Sequence, residues 1–251
     1  GWADAVKALL SSLMGGVHPT WDVSGIRPAG ARLKTFGGRA SGPGPLEDCL
    51  RFITNAIYNA RGRSLRPIEV HDMACVIANS VIVGGVRRSA MISLSDLDDH
   101  EMARAKSGNW WESHSYRSLA NNSAVYATKP EMDVFMEEWL SIYRSYSGER
   151  GIFNREAAQS CSAEINRESD HYFGTNPCGE ITLRPMQFCN LTEVVVRPDM
   201  GDDELHRRVE IASIIGTVQS MCTNFPYLRK AWKRNSEEER LLGVSLTGIQ
   251  D

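Results

Sequence analysis

The stretch from Thr175 to Glu193 reads TNPCGEITLRPMQFCNLTE and sets three chemically active side chains, Asn176, Cys178 and Glu180, on alternate positions. Alternate side chains of an extended backbone point to the same face, so these three groups can converge on one small ligand. The proline and glycine between them favour a tight, exposed loop over a central strand. A second cysteine, Cys189, follows eleven residues after the first. A thiol flanked by an amide and a carboxylate suits chemistry better than it suits packing.

This stretch resembles the active-site loop of ribonucleotide reductases. The similarity is greatest to the adenosylcobalamin-dependent (class II) kind that acts on ribonucleoside triphosphates as a monomer. NPCGE followed by CNL is typical of class II, whereas class I enzymes typically carry an NLC-type motif and a wider gap to the second cysteine. Two further segments resemble the family and occur in its order: SGIRPAGARLKTFGGRASGPGP from Ser24 to Pro45, and GGVRRSAMISL from Gly84 to Leu94.

The resemblance implies a role for each residue of the loop. Cys178 is expected to become a thiyl radical that abstracts the 3′ hydrogen of a ribose, while Asn176 and Glu180 hold and deprotonate the ribose hydroxyls. Cys189 is expected to be half of a redox pair that reduces the 2′ carbon, with its partner outside this chain. The implied cofactor is adenosylcobalamin, which supplies the radical chemistry that side chains lack. A thioredoxin-type dithiol is the implied reductant.

Two glycine-rich segments are expected to bind nucleotides. By the resemblance they are specificity loops, one for a deoxynucleotide effector and one that contacts the base of the ribonucleotide substrate. Neither matches a Walker or dinucleotide fingerprint, and ordinary surface turns are the alternative. An arginine facing a base or phosphate is the concrete form of this expectation. The candidate residues are Phe36, Gly37, Gly38, Arg39, Ser41, Gly84, Gly85, Val86, Arg87, Arg88 and Ser89.

Helical apolar periods alternate with short apolar strands, which predicts an α/β fold. Helices are predicted over residues 2–14, 46–60, 68–83, 130–146 and 201–223, and strands over 90–94, 123–126, 151–153 and, as a buried strand, within LLGVSLTGIQ. The resemblance implies a ten-stranded α/β barrel with the radical cysteine on a finger loop through its centre. Residues 1–251 are therefore expected to be part of a single catalytic barrel domain, a fragment that lacks the N- and C-terminal parts of its parent.

Composition sets bounds on partners and location. The 251 residues, 42% of them hydrophobic, suffice for a substantial core. A net charge of −3 gives no indication of a nucleic-acid-binding surface. No apolar run is long enough to span a bilayer, and nothing reads as a signal peptide. Six scattered cysteines indicate reduced thiols in the cytoplasm, and six histidines without metal-ligand spacing predict no metal site.

Several polar or reactive residues are expected to have no catalytic role. Asn121–Ser123 is interpreted as a cap or turn before a strand, and Glu237–Arg240 as a solvated charge cluster. Cys161, in a polar stretch, is predicted to be exposed. Because cysteine is among the most buried residue types, the cysteines on apolar helix faces are predicted to be buried: Cys49, Cys75 and Cys222.

Three other functions remain open at this stage. The first is the same chemistry in a class I or diphosphate-specific large chain. The second is a nucleotide-binding module that is inactive on its own, because the redox partner of Cys189 is missing. The third, a thiol oxidoreductase using Cys178 and Cys189, ranks low because the sequence lacks a Cys-x-x-Cys pair. No di-iron Glu-x-x-His pattern is present, which excludes the radical-generating subunit of a class I enzyme.

Overall fold

The computed structural model describes residues 1–34, 37–83, 86–87, 89–146, 148–248 and 250. The chain divides into two compact units, Gly1–Glu156 and Ala157–Asp251. Both units combine helices with parallel strand pairs, which confirms the predicted α/β class. The ten-stranded barrel and its single-domain organisation stay predictions. No helix in the described part of the chain is both long and apolar enough to cross a membrane.

The first unit opens with three helices, α1 (Trp2–Met14), α2 (Gly44–Asn59) and α3 (Pro67–Ser80). Pro67 begins α3 at little cost, because the first N–H groups of a helix have no acceptor within it. The apolar faces of the three helices meet in a core that includes Leu9, Leu13, Leu46, Cys49, Leu50, Ile53 and Met73. Cys49 and Cys75 are fully buried, as the sequence predicted.

A small parallel sheet occupies the rest of the first unit. A short hairpin of β1 (Ile82–Val83) and β2 (Val86–Arg87) follows α3. The sheet has the order β3–β4–β5, with β3 at Met91–Ser95, β4 at Ala120–Tyr126 and β5 at Gly151–Asn154. The connections contain α4 (His100–Ala103), α5 (Trp110–Ser113), a 3₁₀ helix (Ser115–Leu119) and α6 (Met132–Ser145).

Asn121–Ser123 forms the middle of β4, so the predicted cap or turn was wrong. The side chain of Asn122 is buried, with its Oδ1 3.3 Å from Nε2 of His71. Its backbone N–H donates to the carboxylate of Glu149 at 2.9 Å. Partners distant in sequence therefore satisfy the polar groups of a residue type that is otherwise depleted in strands.

The second unit carries the remaining elements: most of α7 (Arg155–Glu164), β6 (Gly174–Thr175), β7 (Thr182–Leu183), β8 (Asn190–Val195), α8 (Asp202–Ser220), α9 (Lys230–Glu239) and β9 (Leu242–Thr247). Strands β8 and β9 pair in parallel from Asn190 opposite Leu242 to Val195 opposite Thr247. A Cβ at Gly216 of α8 would lie 3.6 Å from side-chain atoms of both Leu242 and Thr192. The lack of a side chain at this position therefore allows α8 to pack closely on the two strands.

Two burial predictions in the second unit were wrong. β9 forms where a strand was predicted, but Leu246 and Thr247 are exposed rather than buried. Cys222, just beyond α8, is also exposed. The cause is that α8 presents its small residues to the strands. Three of its larger apolar side chains, Ile214, Ile215 and Val218, are more than half exposed.

Helix α9 was missed, because Ala231 and Trp232 are the only apolar residues in its sequence KAWKRNSEEE. Glu237–Arg240 therefore read as a solvated cluster, which is wrong for Glu239. The Glu239 side chain is only 15% exposed and forms an ion pair with Arg167. Burial alone would raise the pKa of Glu239, but hydrogen bonds from Arg167 and Gln187 outweigh burial and hold the pKa below its ordinary value.

Candidate functional site

The predicted radical cysteine lies at the tip of a hairpin in the second unit. Strands β6 and β7 pair antiparallel, with Gly174 opposite Leu183 and Thr175 opposite Thr182. Residues 176–181 close the hairpin between these two short strands. The motif is therefore a loop held at its base by β pairing, as its proline and glycine predicted.

A four-residue turn sets the direction of the thiol. The N–H of Gly179 donates to the carbonyl of Asn176 at 3.0 Å, which places Pro177 second, Cys178 third and glycine fourth. This order is typical of a type I turn. Gly179 has φ +82°, a left-handed conformation in which a side chain would be strained. Cys178 is exposed at the outside of this turn.

The amide and the carboxylate on either side of Cys178 bond to each other. Nδ2 of Asn176 donates to Oε1 of Glu180 at 2.6 Å. Oδ1 of Asn176 accepts from the backbone N–H of Ile181 at 3.3 Å, which orients the amide. Of the three groups expected to converge, the amide of Asn176 and the carboxylate of Glu180 do so, through a turn rather than along an extended strand. The result is an oriented carboxylate close in sequence to an accessible thiol.

Cys189 shares the electrostatic surroundings of this loop. It is half-buried just before β8, with its Sγ 3.9 Å from the carbonyl of Asn190. Burial raises the pKa of the Cys189 thiol, and the negative charge of Glu180 raises it further. The positive charge of Arg167 acts in the opposite direction. The cysteine is therefore held mainly as a thiol near neutral pH, which is the form that can donate hydrogen.

A charged cluster at the base of the hairpin was missed by sequence reasoning. Arg167, between α7 and β6, donates to the carbonyl of Thr182 in β7 at 2.7 Å and to the carboxylate of Glu239 in α9. Arg184, just after β7, forms ion pairs with Glu238 and Glu239. These charges are far apart in sequence, so periodicity gave no signal. The sequence feature that could have indicated this cluster is the run of three glutamates from Glu237 to Glu239.

The first glycine-rich segment of the first unit also forms a hairpin, with an antiparallel bridge between Arg32 and Arg39. Gly30 donates to the carbonyl of Ala40 at 2.9 Å, and Leu33 donates to that of Gly38 at 3.0 Å. Gly42 then has φ +80°, and a Cβ there would lie 3.0 Å from Ala29. Both the conformation and the close approach require glycine at this position.

This hairpin borders a cavity of about 1070 Å³ in the first unit. The cavity lies between α1, the segment from Ile26 to Gly42 and the end of α3. Its wall is largely apolar, with Trp2, Val6, Leu10, Ile26, Leu33 and Ile77 among the lining residues. Four cations also line it: Lys7, Arg27, Lys34 and Arg39. Of the predicted loop residues, Arg39 and Ser41 line the cavity, whereas Gly37 and Gly38 do not.

The second glycine-rich segment is described only in part. Phe36 of the first segment and Gly84, Gly85 and Arg88 of the second lie outside the described residues. The backbones of Val86 and Arg87 form β2. The Ser89 hydroxyl donates to the carbonyl of Ala78 at 2.9 Å, which ties this segment to the end of α3. Ser80 and Val81 at the same end line the cavity.

Comparison with curated proteins gives relatives along the whole chain. The adenosylcobalamin-dependent ribonucleoside-triphosphate reductases of Lacticaseibacillus paracasei and Lactobacillus gasseri are each 32% identical, over 262 and 265 residues. That of Levilactobacillus brevis is 30% identical over 263 residues. Each alignment covers 100% of this chain and 34% of the relative, so the chain spans about one third of their length.

No family model matches the chain, and no solved structure matches it. The similarity to the reductases nevertheless extends over all the segments that carried the resemblance. It includes the NPCGE loop and both glycine-rich segments, because the alignments leave no part of the chain uncovered. The resemblance that the sequence motifs indicated is therefore confirmed: the chain is similar along its whole length to about one third of the length of adenosylcobalamin-dependent ribonucleoside-triphosphate reductases.

Proposed function

We propose that this chain carries the radical cysteine of an enzyme that reduces ribonucleoside triphosphates to 2′-deoxyribonucleoside triphosphates. The observation that carries the proposal is the exposed thiol of Cys178 at a hairpin tip whose flanking amide and carboxylate are hydrogen-bonded at 2.6 Å. A cysteine kept for packing would be buried, as Cys49 and Cys75 are. The similarity to the reductases supports the proposed reaction, and the geometry of the loop supports the choice of residues.

In the proposed mechanism, Cys178 first loses the hydrogen atom of its thiol. The resulting thiyl radical abstracts the 3′ hydrogen of the ribose, which regenerates the S–H bond and leaves a carbon radical on the sugar. Glu180 takes the proton of the 3′-hydroxyl as general base. Asn176 holds that carboxylate in place through its amide. When the 2′ carbon has been reduced, the 3′ carbon takes its hydrogen atom back from Cys178 and the 3′ oxygen takes its proton back from Glu180.

Cys189 takes part in the reductive half of the proposed reaction. The 2′-hydroxyl leaves as water after it takes one proton of a dithiol, and the 2′ carbon then requires two electrons and the second proton. The dithiol supplies these and becomes a disulfide. The raised pKa of Cys189 keeps this thiol protonated before the step. Its partner thiol is proposed to lie in the part of the reductase that this chain does not span, and a thioredoxin-type dithiol reduces the disulfide again.

Adenosylcobalamin is the proposed cofactor, and the site meets the requirement that it places on this chain. When bound, it supplies one-electron chemistry through homolytic cleavage of its cobalt–carbon bond. The chain must then present a sulfur that is accessible to hydrogen-atom transfer, and Cys178 is exposed. Cys178 is the residue of this chain that would face the cofactor.

Cofactor dependence tests the proposed function directly. The full-length reductase containing this chain is expected to reduce a ribonucleoside triphosphate with a dithiol reductant only when adenosylcobalamin is added. Product is measured as the deoxynucleotide by chromatography, with a ribonucleoside diphosphate as the control substrate. Equal turnover without the cofactor would indicate the class I alternative, and preference for the diphosphate would indicate a diphosphate-specific enzyme.

The cavity in the first unit is the proposed nucleotide site. Its apolar wall suits the faces of a base, and its four cations suit a triphosphate. We propose that a deoxynucleotide effector binds there and that the segment from Gly84 to Ser89 contacts the substrate base. The proposed enzyme is a cytoplasmic monomer. If this chain binds nucleotides but is part of no active reductase, the regulatory-module alternative holds instead.

Nucleotide binding by the chain can be measured without catalysis. We expect saturable binding of a deoxynucleoside triphosphate by isothermal titration calorimetry. Replacing Arg27 and Lys34 together with glutamine removes two exposed cations from the cavity wall. Because a hydrogen bond from a charged donor contributes about 1.5–3 kcal/mol, binding should weaken at least about tenfold.

The matched control for this titration is Lys129→Gln, which removes an exposed lysine that does not line the cavity. It should leave the affinity unchanged, since long-range interactions between exposed charges are screened by salt. Equal weakening by the control and the double variant would contradict a site in this cavity. Unchanged binding in the double variant would contradict it as well.

A further inference from the structure

Arg167 is held in a defined position by the end of α7. Its backbone N–H donates to the carbonyl of Ser162 at 2.9 Å, and the N–H of Asn166 donates to that of Ala163 at 3.0 Å. Asn166, the residue before Arg167, has φ +57°. This is the hydrogen-bond pattern of a Schellman motif, in which a left-handed residue closes the helix. The helix end therefore fixes the Cα from which the Arg167 side chain starts.

From there, the guanidinium of Arg167 reaches three separate segments. Nε and Nη2 bond the two carboxylate oxygens of Glu239 in α9 at 2.5 and 3.0 Å. Nη1 donates to the carbonyl of Thr182 in β7 at 2.7 Å, and Nη2 also donates to the Gln187 side chain at 3.2 Å. The guanidinium carbon lies 5.1 Å from the ring centroid of Phe173, which is fully buried just before β6. One side chain thus contacts both limbs of the Cys178 hairpin.

A second arginine completes the attachment to α9. Nη1 of Arg184 lies 3.1 Å from Nε2 of His171, before β6, and Nη2 bonds the carboxylate of Glu238. The side chain of Asn235 donates to the carbonyl of Pro185 at 2.8 Å. The ring of Phe188 lies 4.6 Å from that of Trp232. The hairpin has only two residue pairs of its own, so its placement depends on these contacts.

We propose that Arg167 is a positioning residue that fixes the Cys178 hairpin on α9 and adds a positive charge to the surroundings of Cys189. The contacts of Arg167 do not depend on the proposed function. Only their consequence rests on it, which is that the Cys178 thiyl and the Cys189 thiol keep a constant geometry. No described hydrogen bond joins Arg167 to the sulfur of Cys178 or Cys189. Arg167 therefore acts through Thr182, Glu239 and Gln187. Its positive charge opposes the effect of Glu180 on Cys189.

Substitution of Arg167 by lysine or by glutamine separates the two parts of this role, which are the hydrogen bonds that hold the hairpin and the positive charge near Cys189. Lysine keeps the charge but is a single ammonium group, which cannot bond Glu239, Thr182 and Gln187 together in the arginine's planar geometry. Arg167→Lys should therefore loosen the hairpin while leaving the charge near Cys189 in place. Arg167→Gln should loosen the hairpin and should also remove the positive charge near Cys189. If the role of Arg167 were purely structural, the pH profile of Cys189 alkylation would be the same in the two variants.

Two measurements on the chain read these effects. Hydrogen exchange with mass spectrometry follows the hairpin peptides, and amides of residues 175–182 should exchange at least about tenfold faster in both variants. Peptide mapping after alkylation with iodoacetamide follows the thiolate of Cys189 against pH, with exposed Cys161 as the internal reference. Arg167→Gln should move the Cys189 profile to higher pH, because the lost cation no longer favours the thiolate. Arg167→Lys should keep the parent profile.

Arg234→Gln is the matched control. Arg234 lies in α9, 3.9 Å from Glu238, but its side chain is 70% exposed and its described hydrogen bond is to Asn235. It should change neither readout. If Arg167→Gln unfolds the second unit, seen as loss of exchange protection in α8, then Glu239→Gln replaces it, since it keeps an oxygen acceptor and removes the charge. Hairpin exchange should then rise at least about threefold.

Unchanged hairpin exchange in Arg167→Gln, or in Glu239→Gln where it is used, would overturn the positioning role. Identical Cys189 profiles in the lysine and glutamine variants would overturn the electrostatic role. Neither readout involves turnover, so a failure here would leave the cofactor assay unaffected. Conversely, an enzyme that proved independent of adenosylcobalamin would not alter the exchange or alkylation results.

Discussion

Replacing Cys178 with serine is expected to abolish ribonucleotide reduction by the full-length enzyme while leaving the fold of this chain intact. A hydroxyl is almost the same size as a thiol, but its O–H bond does not give up a hydrogen atom under the same conditions. Because no other side chain can take over this step, the rate should fall by at least about a thousandfold. The measurement is deoxynucleotide formation with saturating cofactor and reductant.

Stability and specificity provide the controls for this substitution. Cys178 is exposed, so the serine variant should unfold within about 0.5 kcal/mol of the parent. Cys161→Ser makes the same chemical change at another exposed cysteine of the second unit and should keep full activity. Retained turnover in Cys178→Ser, or an equal loss in Cys161→Ser, would remove the radical role assigned to the hairpin tip.

The loop could be predicted from sequence because its geometry is local. Proline at the second and glycine at the fourth position specify the turn, and Asn176 and Glu180 bond across it. Helices α1 and α6 could be predicted for a similar reason, since the apolar period is contained within each segment. What the sequence indicated well is what a few neighbouring residues determine.

The parts that were missed depend on partners far away in the chain. Arg167 and Glu239 are separated by 72 residues, and each reads as an ordinary surface charge until the fold pairs them. Asn122 reads as a turn residue, yet it is a strand residue because His71 and Glu149 satisfy its polar groups. Tertiary pairing, rather than local propensity, decides such residues.

The largest effect on stability is expected at Glu138 in the first unit. Its carboxylate accepts from Nε and Nη2 of Arg150 at 2.7 and 2.9 Å, and both residues are buried. Arg150 also donates to the Ser95 hydroxyl at 2.9 Å, so this ion pair joins α6, the end of β3 and the start of β5. Glu138→Ala leaves an arginine buried without its counter-charge, which should cost about 3–5 kcal/mol of unfolding free energy.

Urea unfolding of the chain, followed by far-ultraviolet circular dichroism, measures this cost. Glu47→Ala is the control, because it breaks an exposed ion pair with Arg51 and should cost less than about 1 kcal/mol. The double variant Glu138→Leu/Arg150→Met removes both charges and keeps similar volume, so it should recover most of the loss. If the double variant were as unstable as Glu138→Ala, the loss would come from packing around α6. An unpaired buried charge would then not be its cause.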